Sequence, residues 1–346
     1  MLNNLPLLFT ISLVFMIVSI SSIMNYHIMK PVFVQDMAFA DYPDFNFAAT
    51  GDFGCGDEAK RTVNNIKAKD PELVILTGDL SYQKYAACWF GTVAPLDVNG
   101  KLKIAFGEHD IDGNLTKYNN YLQHFNLTKP YYSFDYQNVH FLVMATAKNS
   151  VVPYLSGSEQ YNFVKDDLKK AHKNSEINWI IVDTFRPIYS SNTTHPGLDK
   201  LQDIYHPLFD KYGVDIVLQG HNHNYQRTYP LSYNQSMPSN PIITDRHTKE
   251  YKNEKGPIFL TVGTAGEDLY SFGDQKPFVI EQFERHGFVD VNVTDNGHNL
   301  TSIFYDNIDS KERSQNTTEP VIRVSSDGGK TFGPILKLAG DGKIGP

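Results

Sequence analysis

The stretch Val214-Asp-Ile-Val-Leu-Gln-Gly-His-Asn-His-Asn-Tyr-Gln-Arg227 decides how this chain is read. Its apolar run Ile216-Val217-Leu218 predicts a buried strand closed by Gly220. His221 and His223 follow at once, and in an extended segment residues two apart point to the same side. Two imidazoles leaving a strand end together offer nitrogens to one point in space, or to two points close together. Neutral imidazole is the commonest protein metal ligand. A lone H-x-H pair is explained equally well by a surface turn, so the reading depends on what the other strand ends carry.

They carry carboxylates. Phe45–Thr50 reads as a strand ending in Gly51-Asp52-Phe53-Gly54, followed by a helix over Asp57–Lys69 with Ala59, Val63 and Ile66 on one face. Leu73–Leu76 is a second apolar strand, ending in Gly78-Asp79-Leu80-Ser81-Tyr82. A third, 102–106, ends in Gly107-Glu108-His109-Asp110, and 178–182 runs into Asp183-Thr184-Phe185-Arg186-Pro187. This rhythm of strand, loop and helix predicts an α/β fold with parallel strands, and ligands of such sheets bind at the carboxyl ends of the strands. Any one of these residues alone is more often a cap or a solvated loop residue. As a set of hard oxygen and imidazole donors they suit iron, manganese or zinc better than a thiolate-binding metal.

The chain has 346 residues, 41% of them hydrophobic and 13% aromatic, which predicts a globular body with a sizeable core. A net charge of -8 and the absence of any Lys/Arg run beyond a pair argue against nucleic acid as partner and against a polybasic membrane patch. Residues 5–24 contain no charged side chain and can span a bilayer core of roughly 30 Å as a helix. They read as an export signal, either kept as a membrane anchor or removed near Ala38-Phe39-Ala40. The body is then expected outside the cell or at its surface, with membrane contact only through this segment. Sequons at Asn114, Asn126, Asn192, Asn234, Asn292, Asn299 and Asn316 fit a glycoprotein. Cys55 and Cys88 are the only cysteines; export favours a disulfide between them over two buried thiols.

Elsewhere, 131–135 and 139–145 predict a hairpin around Gln137-Asn138. Ser156-Gly-Ser-Glu159 reads as a capping box before a helix with Tyr161, Val164, Leu168 and Ala171 at helical spacing. A helix over 197–212 leads into the opening stretch, and 229–255 is polar enough to be a long loop or lid. Ile258–Val262, 278–283, 288–293 and 300–305 predict closing strands. Asp327-Gly328-Gly329 marks a hairpin turn between 321–324 and 332–338, similar to an Asp-box of propeller repeats, although one copy cannot build a propeller. The expected organisation is 1–44 signal or anchor and linker, 45–305 the main domain, and 306–346 linker and hairpin.

Gly-Asp-Phe-Gly at 51–54, Gly78-Asp79-x-x-Tyr82, Gly107-x-His109-Asp110 and Gly220-His221-x-His223-x-Tyr225 resemble, in this order, the calcineurin-like metallophosphoesterases. Tyr82, the lack of a histidine two after Asp52, the run 206–221 and Arg186-Pro-Ile-Tyr-Ser190 resemble the purple acid phosphatase branch. The resemblance implies a four-layer α/β/β/α sandwich, a phosphorylated small molecule as substrate, and two adjacent metal ions. Asp52, Asp79, Tyr82 and His223 would hold the first, expected to be iron. Asp79, the residues at 108 and 185, and His221 would hold the second, as zinc, manganese or iron. His109 would contact the phosphate and protonate the leaving group.

Two positions depart from that pattern: Glu108 stands where the family has Asn, and Phe185 where it has His. Phenylalanine cannot ligate. Asp183, two residues earlier on the same side of an extended strand, is the candidate substitute and substrate contact. The implied activity is acid phosphatase-like hydrolysis of phosphomonoesters by a metal-bound hydroxide. The alternative is a non-catalytic relative whose altered second site makes it a surface module for metal or phosphate.

Overall fold

Apolar runs of four to six residues become strands, and the helical patterns become helices laid over them. The computed structural model describes residues 42–308, less 112, 114, 253 and 254, and the backbone of 321–325. In chain order the elements are β1 (Phe45–Thr50), α1 (Asp57–Lys69), β2 (Leu73–Leu76), α2 (Ala87–Val93), β3 (Leu102–Ile104), α3 (Thr116–His124), β4 (Tyr132–Tyr136) and β5 (Val139–Val143). Then come α4 (Glu159–Lys173), β6 (Trp179–Thr184), α5 (Asp199–Tyr212), β7 (Ile216–Gln219), β8 (Tyr225–Thr228), β9 (Leu231–Ser232), β10 (Ile242–Ile243) and β11 (Glu250–Lys252). The last are β12 (Ile258–Val262), β13 (Val279–Phe283), β14 (Gly287–Thr294), β15 (Asn299–Asp306) and β16 (Val321–Ser325).

Two seven-stranded sheets result, ordered β11-β16-β15-β14-β1-β2-β3 and β13-β8-β12-β7-β6-β5-β4. Pairing is parallel through β1-β2-β3 in one sheet and β5-β6-β7-β12 in the other. Period-2 alternation sorts the side chains. Phe45, Phe47 and Ala49 of β1 meet Trp179 and Ile181 of β6 between the sheets. Ala48 of β1 faces Ala59, Val63 and Ile66 of α1 in an outer layer, and Ile180 and Val182 of β6 face Val164 and Leu168 of α4 in the other. Burial on both faces is why these strands read as unbroken apolar runs. The architecture is the expected four-layer sandwich, helices outermost.

Several local expectations need correction. Ser158, not Ser156, caps α4: its Oγ accepts the Tyr161 N–H at 3.1 Å, so Glu159 is the first helical residue. The stretch 229–255 is not a bare lid, since it carries β9, β10 and β11, with Tyr251 fully buried against the main body. Residues 321–325 do not start a detached tail. They form β16, which pairs with β15 on one side and β11 on the other and so lies inside the first sheet. The turn at Asp327-Gly328-Gly329, the run 5–24, the Ala38-Phe39-Ala40 site and the sequons at Asn114 and Asn316 lie outside the described residues. Asn126 and Asn192 are exposed, whereas Asn299 is buried in β15, where a glycan would not fit. No helix of the described residues is long and apolar enough to cross a membrane.

Candidate metal centre

The loops after β1, β2, β3, β6, β7 and β12 come together at the carboxyl ends of the parallel strands. Three of the residues they carry are non-glycine residues in the left-handed region: Asp52 at φ 59°, Asp79 at φ 48° and His221 at φ 69°. Such conformers cost on the order of 1–3 kcal/mol each and persist where the surroundings hold them. Here the hold is explicit. Asp52 N–H donates to Gly78 O at 3.0 Å, Phe53 N–H to Asp79 O at 3.0 Å, and His221 N–H to Asp52 Oδ2 at 2.9 Å. Gly107 lets the loops close, because a Cβ there would stand 2.2 Å from Asp79 Oδ1. Asp110, fully buried, accepts from Leu80 N–H at 2.9 Å and Gly107 N–H at 2.8 Å, tying the second loop to the third. Burial holds its carboxyl up at about 7.

Four side chains converge in this crook. Tyr82 Oη lies 2.8 Å from His223 Nε2, 3.1 Å from Asp52 Oδ1 and 3.4 Å from Asp79 Oδ2, and His223 Nε2 lies 3.3 Å from Asp52 Oδ1. Donors about 2.1 Å from one cation stand roughly 3 Å apart, so these spacings are those of a coordination shell. His223 is aimed into it. Its Nδ1–H donates to Asp268 O at 2.7 Å, a partner that can only accept, which leaves Nε2 for the centre, and Tyr270 stacks on the ring at 4.0 Å. Burial, then the charge of Asp52, pushes the Asp79 carboxyl well up and the Tyr82 phenol far up. Three oxygen donors and one imidazole nitrogen this close together are a donor set that fits a single cation. Among the described residues no three His, Cys, Asp or Glu side chains stand together as a cation-holding group by themselves; the convergence runs through Tyr82.

The second set does not converge. Asn222 N–H bonds to Gly220 O at 2.8 Å and Asn224 N–H to Asn222 O at 2.7 Å, so the segment is tightly turned, not extended. His221 and His223 therefore address different places. The His221 ring stacks on His195 at 3.6 Å and meets Phe185 at 4.7 Å. Burial, helped by His195 and Arg186, pushes it down to about 2, so it is neutral. Phe185 is fully buried, its ring packed over Gly78. The Glu108 carboxylate is engaged elsewhere, accepting from Lys148 N–H at 3.1 Å and paired with Arg186 Nε at 3.5 Å. Asp183 does not join: it is 2% exposed, and neither carboxyl oxygen has a hydrogen-bonding partner. Glu108, Phe185 and His221 thus do not fit a second metal ion. His109 stands exposed at the rim, its N–H donating to Asp79 Oδ1 at 2.7 Å and its ring 4.3 Å from Tyr82.

Sequence reasoning missed His195 and Asn222, and it named Arg186 only as part of a motif, without a role at the site. Asn222 clamps the His195 loop, accepting His195 N–H at 3.0 Å and donating to His195 O at 2.7 Å, while Gln226 Oε1 accepts Ser191 N–H at 2.7 Å. The alternating polar residues Asn222, Asn224 and Gln226 were a visible signal; nothing local pointed to His195. Cys55 and Cys88 are bonded, with Cα atoms 6.1 Å apart, which pins the loop after β1 to α2.

The calcineurin-like phosphoesterase family model matches residues 45–225. Purple acid phosphatase 21 of Arabidopsis thaliana is 30% identical over 64% of this chain and 49% of its own. The Arabidopsis protein named probable inactive purple acid phosphatase 27 is 34% identical over 49% of this chain and 27% of its own. The purple acid phosphatase PPD1 from yellow lupin seeds shares the fold at a TM-score of 0.66 and 23% identity, over 82% of this chain and 55% of that one. The chain spans about half the length of the curated relatives it matches. Motif order, sandwich and family match agree: the chain belongs to the calcineurin-like phosphoesterases, and its relatives there are purple acid phosphatases.

Proposed function

We propose that this chain is an exported, metal-dependent hydrolase of phosphorylated small molecules, of the acid phosphatase type, working at the Asp52–Asp79–Tyr82–His223 centre. The observation that carries the reading is the convergence of those four donors beneath an exposed imidazole, His109. A cation bound there would polarise a phosphoryl oxygen and acidify a water. The chain's own residues do the rest. Asp52, Asp79 and Tyr82 supply the negative charge that holds the cation, and the Asp268 carbonyl keeps His223 Nε2 on target. His109, exposed at the rim, would hand a proton to the departing alkoxide or phenolate. Export is supported by the charge-free run 5–24 and by the Cys55–Cys88 disulfide, which persists in oxidising compartments.

The test pairs metal analysis of the purified protein with an assay on a generic aryl phosphate. Phosphate release that depends on added iron, zinc or manganese is expected, as is cation affinity reduced about tenfold or more in Tyr82→Phe. With ferric iron, a visible absorption band from the Tyr82 phenolate should vanish in the same variant. A wild-type protein that binds its cation and releases no phosphate would instead be the binding module that Glu108 and Phe185 favour.

A further inference from the structure

We infer that Lys117 is a positioning residue of the centre: its ammonium clasps the backbone on both sides of Tyr82 and so fixes the phenol against Asp52, Asp79 and His223. The inference rests on the reading of Tyr82 as a donor to a cation, and not on turnover.

Of the four donors, Tyr82 has the least support from its own segment. Asp52 and Asp79 stand in left-handed conformations at strand ends, tied to each other's loops, and His223 is held by the Asp268 carbonyl. Tyr82 lies instead between the end of β2 at Leu76 and the start of α2 at Ala87. Gln83, Lys84 and Tyr85, which follow it, are exposed, Tyr85 to 60%. Among the described residues no backbone N–H reaches the carbonyl of Ser81 or of Gln83. Lys117 Nζ meets both, donating to Ser81 O at 2.7 Å and to Gln83 O at 2.9 Å. Those carbonyls flank Tyr82, so the clasp fixes where its Cα stands.

The clasp is built on a rigid element. Lys117 is the second residue of α3, whose Tyr118 packs on Phe106 and Tyr121 on Trp89, ring centroids 4.9 and 5.3 Å apart. Asp110 holds the same segment by its donors, accepting the Leu80 N–H at 2.9 Å and the Ser81 N–H at 3.3 Å. Carbonyls are thus taken by an ammonium and N–H groups by a carboxylate, which delivers the phenol to 2.8 Å from His223 Nε2. Lys117 is only 4% exposed. A buried ammonium is costly unless its hydrogen bonds are made, so the side chain favours the one loop position that makes both. Lys117 also lies outside the motifs through which the chain resembles its family, the nearest of which ends at Asp110.

The experiment uses the full chain, stripped of metal, in a double-mutant cycle: wild type, Lys117→Met, Tyr82→Phe and the pair together, each titrated calorimetrically with Zn2+. Methionine is close in length to the lysine stem and cannot donate. Lys117→Met should weaken Zn2+ about tenfold with Tyr82 present, and less than about twofold in Tyr82→Phe. Loaded instead with ferric iron, Lys117→Met should show a weakened or shifted Tyr82 absorption band per bound iron. Lys117→Arg should restore it in part, because a donor remains. An equal loss of Zn2+ affinity in both backgrounds would make Lys117 a general structural support and overturn the inference, as would no loss in either. If Lys117→Met does not fold, the cycle is read with Lys117→Arg, where a smaller loss confined to the Tyr82 background is expected and an unconfined one refutes. Zn2+ bound equally by wild type and Tyr82→Phe would take down the Tyr82 reading and this inference with it. Binding that depends on Tyr82 and ignores Lys117 sinks the inference alone, and neither result depends on phosphate release.

Discussion

Asp183 offers a direct check on how the site was assigned, because its burial has a measurable cost. It sits in β6 after Ile181 and in register with Leu218, both part of the apolar layer between the sheets. Neither of its carboxyl oxygens has a hydrogen-bonding partner, and burial raises its pKa well above the usual carboxylate range. An unsatisfied buried polar atom costs about 1–3 kcal/mol, so replacing both oxygens with methyl groups in Asp183→Val should stabilise the protein by about 2–4 kcal/mol near neutral pH. For a domain of this size that is a rise in Tm of about 5–15 °C. The pH dependence has a definite sign. An unfolded carboxyl titrates near about pH 3.9, whereas the folded one holds its proton to higher pH. Between the two values the native state binds a proton that the unfolded state has lost, so wild-type stability falls as pH rises. The variant lacks that fall, and its advantage should widen from pH 4 upward. Urea unfolding of both proteins at pH 4.5 and pH 8 measures this. A variant less stable than wild type at pH 8 would refute the reasoning, because it would mean that the carboxylate holds a partner in solution, as the substitute-ligand expectation supposed.

Denatured, unreduced protein should show no free thiol, since Cys55 and Cys88 are bonded across 33 positions. Replacing both by serine should cost roughly 3–4 kcal/mol, read as a shift in the urea midpoint with unchanged slope. His140 predicts a pH effect away from the centre. Burial alone would lower its pKa, but bonds to Asp167 at 2.9 Å and Asp135 at 2.6 Å outweigh that and raise it. The stability it contributes is complete below an unfolded pKa of about 6.5 and is lost as pH rises through the folded value. His140→Gln should therefore cost about 1–3 kcal/mol at pH 5.5 and much less at pH 8.5; a difference independent of pH would contradict the ion pair.

Much of the fold was legible because it depends on local patterns. The bounds of β1, α1, β2 and β12 follow from apolar runs and 3.6-residue spacing, and the family resemblance of the glycine-rich strand ends implied the grouping of Asp52, Asp79, Tyr82 and His223, whose side chains do stand together. What failed was anything that assumed straight geometry. Period-2 reasoning sent His221 and His223 to a common side and brought Asp183 toward the site. The left-handed His221 and the tight turns at 220–224 break the first expectation, and the burial of Asp183 on the face of β6 turned toward the other sheet breaks the second. The cap of α4 slipped by two residues because Ser156 and Ser158 are both good caps and only packing chooses between them.

The sequence by itself determined the rhythm of strand, loop and helix and, through the motifs that resemble a known family, the family and its sandwich, because these rest on patterns within a few residues of each other. The tertiary structure alone decided the fate of the second position. Glu108 and Arg186 lie far apart in the chain, and whether a carboxylate there draws a metal ion or a guanidinium depends on which groups the folded loops bring within reach. Long-range contacts of that kind follow from how two sheets pack, which no local pattern encodes.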